Sequence, residues 1–158
     1  MRILERKPQP KGLAKFLFRL PIHLYRIGLG RLLGGRFLLL HHRGRVSGKP
    51  RQVVIEVVHH DSTAGSYTVA SGFGAKADWY RNVLADPEVR IQVGGKKGAA
   101  TAVPLDTEAG AEVMAEYASR HKRAAKALCR YMGFEVDGGA ADFREAGRHI
   151  PFLRLLTH

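Results

Sequence analysis

The sequence predicts an α+β, mainly β domain. About six antiparallel strands form a small barrel, with helices appended at both ends and in the middle. Three observations predict it. Apolar, strand-forming runs recur through residues 36–105 and again at 149–157. The links between the early runs are too short to hold the crossover helices that parallel strands need. Turn-forming residues separate most neighbouring runs, which favours a barrel over a doubly wound sheet. At 158 residues the chain has the size of one domain. It divides into an N-terminal arm with amphipathic helices (1–35) and a barrel domain (36–158).

Residues 1–10 are polar and contain proline, and are expected to form a loose arm. A helix is expected from Lys11 to Leu20. Lys11, Lys15 and Arg19 share one face, and Leu13, Phe16, Leu17 and Leu20 the other. Pro21 breaks it and opens a second helix that ends at Gly34 and Gly35. Such basic amphipathic segments fit a membrane surface, although packing of the apolar face on their own domain is the favoured reading, since any surface helix is amphipathic. Strands follow at 36–43 and 51–60, joined by a loop of about seven residues, and at 65–71 after "DSTAG". Residues 77–86, "ADWYRNVLAD", read as a helix with Asp78 near its start and Pro87 beyond its end. Strands at 89–93 and 97–105 flank Gly94-Gly95, a good hairpin turn. Helices are expected at 106–120, capped by Asp106 or Thr107, and at 121–132, stopped by Gly133. A short helical turn in "GGAADFREAG" and a last strand at 149–157 complete the chain.

The net charge of +12 is unevenly placed. The first 51 residues hold thirteen Lys and Arg and one acid, Glu5; the rest hold thirteen of each sign. A surplus confined to one third of the chain points to an anionic partner there. No run approaches the length of a transmembrane helix, and the N-terminus lacks an uncharged signal-peptide core. The single cysteine, Cys129, excludes an intrachain disulfide framework and suits a reducing cytoplasm.

Most kinds of chemistry lack residues to perform them. Neighbours on a strand point to opposite faces, so His41-His42 and His59-His60 each offer one ligand per face. With His42 opposite Gln52, His59 lies on the order of 20 Å away at ~3.3 Å per residue, and the pairs cannot share an ion. Cys129 falls on a packed helix and reads as a core residue. There is no nucleophile elbow, P-loop or strand–GxGxxG–helix. The basic segment carries no nucleic-acid-binding motif, so no nucleic-acid partner is expected.

Two features remain. Residues 41–51, "HHRGRVSGKPR", hold four cations and no acid. Gly44 and Gly48 let backbone N–H groups turn toward an anion, Ser47 offers a hydroxyl, and Arg45 and Arg51 can grip phosphate oxygens. Spacing alone also fits a solvated basic hairpin loop. In "ASGFGAKADWYRN" (70–82) a strand ends in Ser71 and a helix begins near Asp78. Helix N-termini favour anions, and Trp79 can either wall a planar ligand or fill the core.

Taken together, "LLLHHRGRVSGKPRQ", "YTVASGFGAKADWYRNVLADPEVRIQVGG" and "RHIPFLRL" resemble the deazaflavin-dependent nitroreductase family. The motifs are G-R-x-S-G-x-x-R, V-A-S-x-G, W-Y-x-N-L-x-A-N/D-P-x-V and V-G-G, in this order. The resemblance covers 36–105 strongly and the last strand weakly. It implies a six-stranded antiparallel split β-barrel and the factor-420 deazaflavin, a flavin-like ring joined to a phosphate and an oligoglutamate tail. Arg45, Val46, Ser47, Gly48 and Arg51 would lie by the phosphate, and Gln52, Val53 and Val54 along the cofactor. Val69, Ala70, Ser71, Gly72, Trp79, Tyr80 and Asn82 would frame the ring. The implied reaction is hydride transfer to a small organic acceptor such as a quinone, enone or nitro compound. Split barrels of this kind commonly pair as homodimers. Val46 stands where many members have Lys, the 71–79 loop is shorter than theirs, and no tyrosine aligns with their substrate-facing ones. The rivals are an FMN-dependent reductase of the same fold, a carrier that binds the deazaflavin without turnover, and peripheral membrane contact through residues 11–33. The last is compatible with an enzyme on the inner face of the plasma membrane.

Overall fold

The computed structural model describes residues 1–3, 35–72 and 74–158. The two amphipathic helices expected within 11–33, and the membrane contact expected of them, lie outside the described residues.

Six strands close into an antiparallel barrel. They are β2 (Phe37–Arg43), β3 (Pro50–Asp61), β4 (Ser66–Ala70), β5 (Glu88–Val93), β6 (Lys96–Pro104) and β8 (Phe152–Thr157), in the order β2-β3-β4-β8-β6-β5. Pairing of β5 with β2 completes the ring, so no barrel strand is left as an edge. This is the expected fold. A two-residue ladder of β1 (Arg2–Ile3) with β7 (Phe134–Glu135) was not expected. The start of the chain pairs with a segment over 130 residues away, so nothing local in 1–10 signals it.

Alternation places Leu38, Leu40, Ile55, Val57, Val89, Ile91, Leu153 and Leu155 in one cluster inside the barrel. Helix α1 (Asp78–Ala85) adds Trp79, Tyr80 and Val83 to that cluster. A register shift between Val57 and His59 leaves Val58 as an extra residue on β3. Val57 belongs to the barrel cluster, whereas Val58 belongs to a second cluster under the helices.

That second cluster joins the barrel to α2 (Thr107–Arg120), α3 (Lys122–Met132) and α4 (Ala140–Arg148). Asp106 caps α2, accepting a hydrogen bond from the Ala109 N–H at 2.7 Å. Gly133 ends α3 at φ 92°, in the left-handed region. The expected turn in 138–147 is a nine-residue helix, longer than its sequence suggested. Its support is nonlocal: Gly147 of α4 lies against Gly110 of α2. A Cβ on Gly147 would stand 2.5 Å from the Gly110 carbonyl oxygen.

One expectation about register is corrected. His42 lies opposite Arg51, and His41 opposite Gln52. Six residues connect β2 and β3 rather than seven, and one residue of slip moves every side chain to the other face.

Candidate functional site

The site begins with the β2–β3 loop. Gly44 N–H donates to the Lys49 carbonyl and Gly48 N–H to the Gly44 carbonyl, both at 2.9 Å. Ser47 Oγ accepts from the Lys49 N–H at 3.2 Å. A Cβ at position 44 would fall 2.4 Å from Ser47 Oγ, so a side chain there would displace the Ser47 hydroxyl from Lys49.

Helix α1 then takes hold of the loop. Asn82 Oδ1 accepts from the Arg45 backbone N–H at 3.0 Å and from Arg45 Nη1 at 2.8 Å. Arg45 Nη2 also reaches Asp78 Oδ1 at 3.4 Å. Asn82 Nδ2 meets His42 Nδ1 at 3.2 Å. Asn82 is 5% exposed, and these bonds satisfy an amide whose burial would otherwise be costly. Arg45 is thereby tied to the scaffold. Among the described residues, Arg43, Lys49 and Arg51 form no ion pair with an acid.

Beside this loop runs an open groove of about 1060 Å³. Arg45, Val46, Ser47 and Arg51 line its basic end. Gln52, Val53 and Val54 of β3 continue along it, and Ala70, Gly72, Trp79 and Asn82 line it further. Eleven of the fifteen residues expected at the site therefore meet at one surface. The other four do not line it. Gly48 makes the loop turn at φ 69°. Val69 is wholly buried in the barrel cluster, which Tyr80 also joins. Ser71 is wholly buried and its Oγ donates to the Gly74 carbonyl at 2.6 Å. Alternation along β4 and helical periodicity in α1 turn Val69 and Tyr80 inward. Trp79 fills both roles considered for it, since it lines the groove and is only 8% exposed.

Sequence reasoning missed a further part of the lining. Ala124, Ala127, Leu128 and Tyr131 of α3 line the groove at i, i+3, i+4 and i+7, one helical face. That spacing was the available signal. Gly72 makes room for this wall, because a Cβ there would lie 3.0 Å from the Tyr131 ring. Burial pushes the Tyr131 phenol up from its ordinary pKa, so it is protonated at neutral pH. Phe143 of α4 is 1% exposed within the helical cluster and does not line the groove. Cys129 is fully buried there too, and burial pushes its thiol up to about 12, which makes it unreactive. Among the described residues no group of three or more potential ligands could hold a metal ion.

His42 was also missed as a wall residue. Its pKa is lowered to about 4 by burial, then by Arg51 and His41. The folded value lies below the unfolded value of about 6.5, so between them the unfolded chain binds the extra proton. The resulting contribution to stability is complete above about pH 6.5 and is lost as pH falls through about 4. Denaturant melts should show His42→Gln removing about 2 kcal/mol of the pH-dependent stability gained over that window. An unchanged slope would mean that His42 is not held neutral by the fold.

The sequence profile of the F420H(2)-dependent quinone reductase family matches residues 18–131. The chain belongs to this family. Its members are oxidoreductases that use reduced factor 420. Solved structures similar to this chain include an F420-H2 dependent reductase (FDR-A), at 23% identity and TM-score 0.51, covering 76% of this chain and 93% of that one. A structure described as a domain-swapped dimer shares 22% identity at TM-score 0.52, covering 85% and 98%. Conserved hypothetical protein Rv2991 from Mycobacterium tuberculosis shares 15% at TM-score 0.55, covering 85% and 79%. At these identities the likeness is one of fold. No curated protein matches the sequence.

The groove of this F420H(2)-dependent quinone reductase family member fits the cofactor. Its volume is that of a site for a large organic ligand. Arg51 and Ser47 offer a guanidinium and a hydroxyl of the kind that suits a phosphate, whereas the N–H groups of Gly44, Arg45, Gly48 and Lys49 are spent within the protein. Trp79, Leu128 and Tyr131 offer the same groove apolar surface of the kind that suits a planar ring. Among the described residues no helix is long and apolar enough to cross a membrane.

Proposed function

We propose that this reductase uses factor 420 to reduce a small electrophilic organic acceptor, with a quinone favoured over an enone or a nitro compound. One observation carries the proposal: a single groove is lined both by the cationic loop and by Trp79, Leu128 and Tyr131. The quinone in the family's name sets the preference among acceptors.

The cofactor, when bound, supplies the hydride; the protein binds, orients and excludes water. Arg51, the Ser47 hydroxyl and the Val46 and Ser47 N–H groups hold the phosphate. Gln52, Val53 and Val54 run along the cofactor, and Ala70, Gly72 and Trp79 flank the ring. Tyr131 lines the same groove beside Gly72, and its phenolic O–H is assigned to the acceptor oxygen that gains charge during reduction. Tyr131→Phe is expected to lower kcat for a soluble quinone about five- to tenfold, the worth of one neutral hydrogen bond, with cofactor affinity unchanged. Equal loss of cofactor affinity would place Tyr131 against the cofactor instead.

The decisive experiment titrates the protein with factor 420 and with FMN while following Trp79 fluorescence. Reduced factor 420 is then mixed anaerobically with a panel of quinones, enones and nitroarenes. The expected result is binding of factor 420 and its oxidation by quinones. Submicromolar FMN binding with none for factor 420 would overturn the cofactor assignment. Binding without oxidation by any acceptor would make the protein a carrier.

A further inference from the structure

We propose that His42 is a second donor of the groove's phosphate site, presenting its Nε2–H beside the Arg51 guanidinium. The inference rests on the proposed function and adds a residue that neither the motifs nor the family match supplies.

The tautomer follows from the hydrogen-bond network. Asn82 Oδ1 accepts two bonds from Arg45, and both Arg45 groups can only donate. This settles which way the amide faces, so Nδ2 is the atom that meets His42. Nδ2 can only donate, hence His42 Nδ1 accepts. A neutral imidazole that accepts at Nδ1 carries its proton at Nε2. Protonating Nδ1 would break the Asn82 bond and place a charge next to Arg51 and His41.

The position of Nε2 follows from two further facts. It has no hydrogen-bond partner among the described residues. His42 is only partly buried and lines the groove. With Nδ1 held by Asn82, Nε2 is the ring nitrogen left to serve the groove. His42 and Arg51 are direct cross-strand partners on β2 and β3, which puts both side chains on the same face of the sheet.

The pair divides the work. Arg51 brings charge and is exposed. His42 is half-buried, its ring is locked by Asn82, and it brings direction without charge. A locked neutral donor loses little freedom on binding. The same amide ties His42 to Arg45, so the donor, the loop and α1 are set as one unit.

The test compares full-length native protein with His42→Gln, His42→Leu and Arg51→Ala. Dissociation constants for factor 420 are measured at pH 7.5, and thermal melts record folding. Gln can keep both an acceptor toward Asn82 and an N–H toward the groove, and is expected to bind within about threefold of native. Leu keeps neither and is expected to bind at least tenfold more weakly. Imidazole 15N resonances of the native protein supply a readout that does not depend on variants folding. They are expected to show the Nε2–H tautomer, with Nε2 shifting on addition of factor 420 and, less, of inorganic phosphate. If native protein does not bind factor 420, the proposed function fails and takes this inference with it. If it binds and Arg51→Ala weakens it, yet the His42 Nε2 signal stays still, the inference alone is overturned. Full affinity in a folded His42→Leu protein would overturn it equally.

Discussion

Arg51→Ala is expected to weaken factor 420 binding by about 3 kcal/mol, on the order of 100-fold, with little change in melting temperature. The size follows from how Arg51 differs from its neighbours. Arg45 spends its guanidinium on Asn82 and Asp78, so a phosphate would have to compete for it. Val46 is 94% exposed and brings no charge where many relatives carry lysine. Arg51 is the groove-lining cation with no acidic partner among the described residues. A bidentate, charge-assisted contact to phosphate sits at the upper end of hydrogen-bond energies. Arg51→Lys should recover only part of the loss, because an ammonium cannot reproduce the fork. Titration of both variants at two salt concentrations checks this. The native protein should lose affinity as salt rises, and Arg51→Ala should be less sensitive. Unchanged affinity in Arg51→Ala would remove the loop from the phosphate site.

Asp78 offers a contrast in the same loop. Its carboxylate is 69% exposed and only 3.4 Å from Arg45, so this ion pair adds little stability. The buried Asn82 amide is what holds the loop in place. The cationic loop therefore has a fixed root at Arg45 and a free grip at Arg51.

The strands were legible because each carries a β-branched or leucine run closed by turn residues. Gly44, Gly48, Gly94 and the Asp61 turn are local signals for local structure. The register of β2 on β3 was less legible. It depends on one residue of loop length, and that residue decides whether His42 faces Gln52 or Arg51. The groove wall from β3 and α1 was visible through the motifs at 45–54 and 70–82. The wall from α3 was visible only as spacing, since Ala124 and Ala127 have no chemistry to draw notice. The latch on Arg45 was not legible at all: its partner Asn82 lies 37 residues away and was read as a ligand contact. Helix α4 was underestimated for the same reason, because its support comes from Gly110 and not from its own sequence.

That support gives the largest expected change in stability. Gly147→Ala should destabilise the protein by about 3 kcal/mol, lowering Tm by about 6–12 °C for a chain of this size. In an exposed helix this substitution would stabilise by roughly 0.5–1 kcal/mol. Here the new Cβ would stand 2.5 Å from the Gly110 carbonyl oxygen, 2.7 Å from Met114 Cβ and 2.9 Å from Ala111 Cα. Two of these atoms are backbone, so no side-chain rotation relieves the clash and the helices must separate. Gly110→Ala should act likewise, its Cβ meeting the Gly147 carbonyl oxygen at 2.7 Å. Once one alanine has parted α2 from α4, the second meets a gap already opened. The double variant should therefore lose clearly less than the sum of the singles, by 1 kcal/mol or more. Denaturant unfolding of the four proteins measures this coupling. Additive losses, or a neutral Gly147→Ala, would mean that the helices do not meet at these glycines. The groove should feel the same displacement. Leu128 of its α3 wall lies in one buried cluster with Met114, Phe143 and Ala146 of α2 and α4. Cofactor affinity should consequently fall in Gly147→Ala, although the substituted residue does not line the groove.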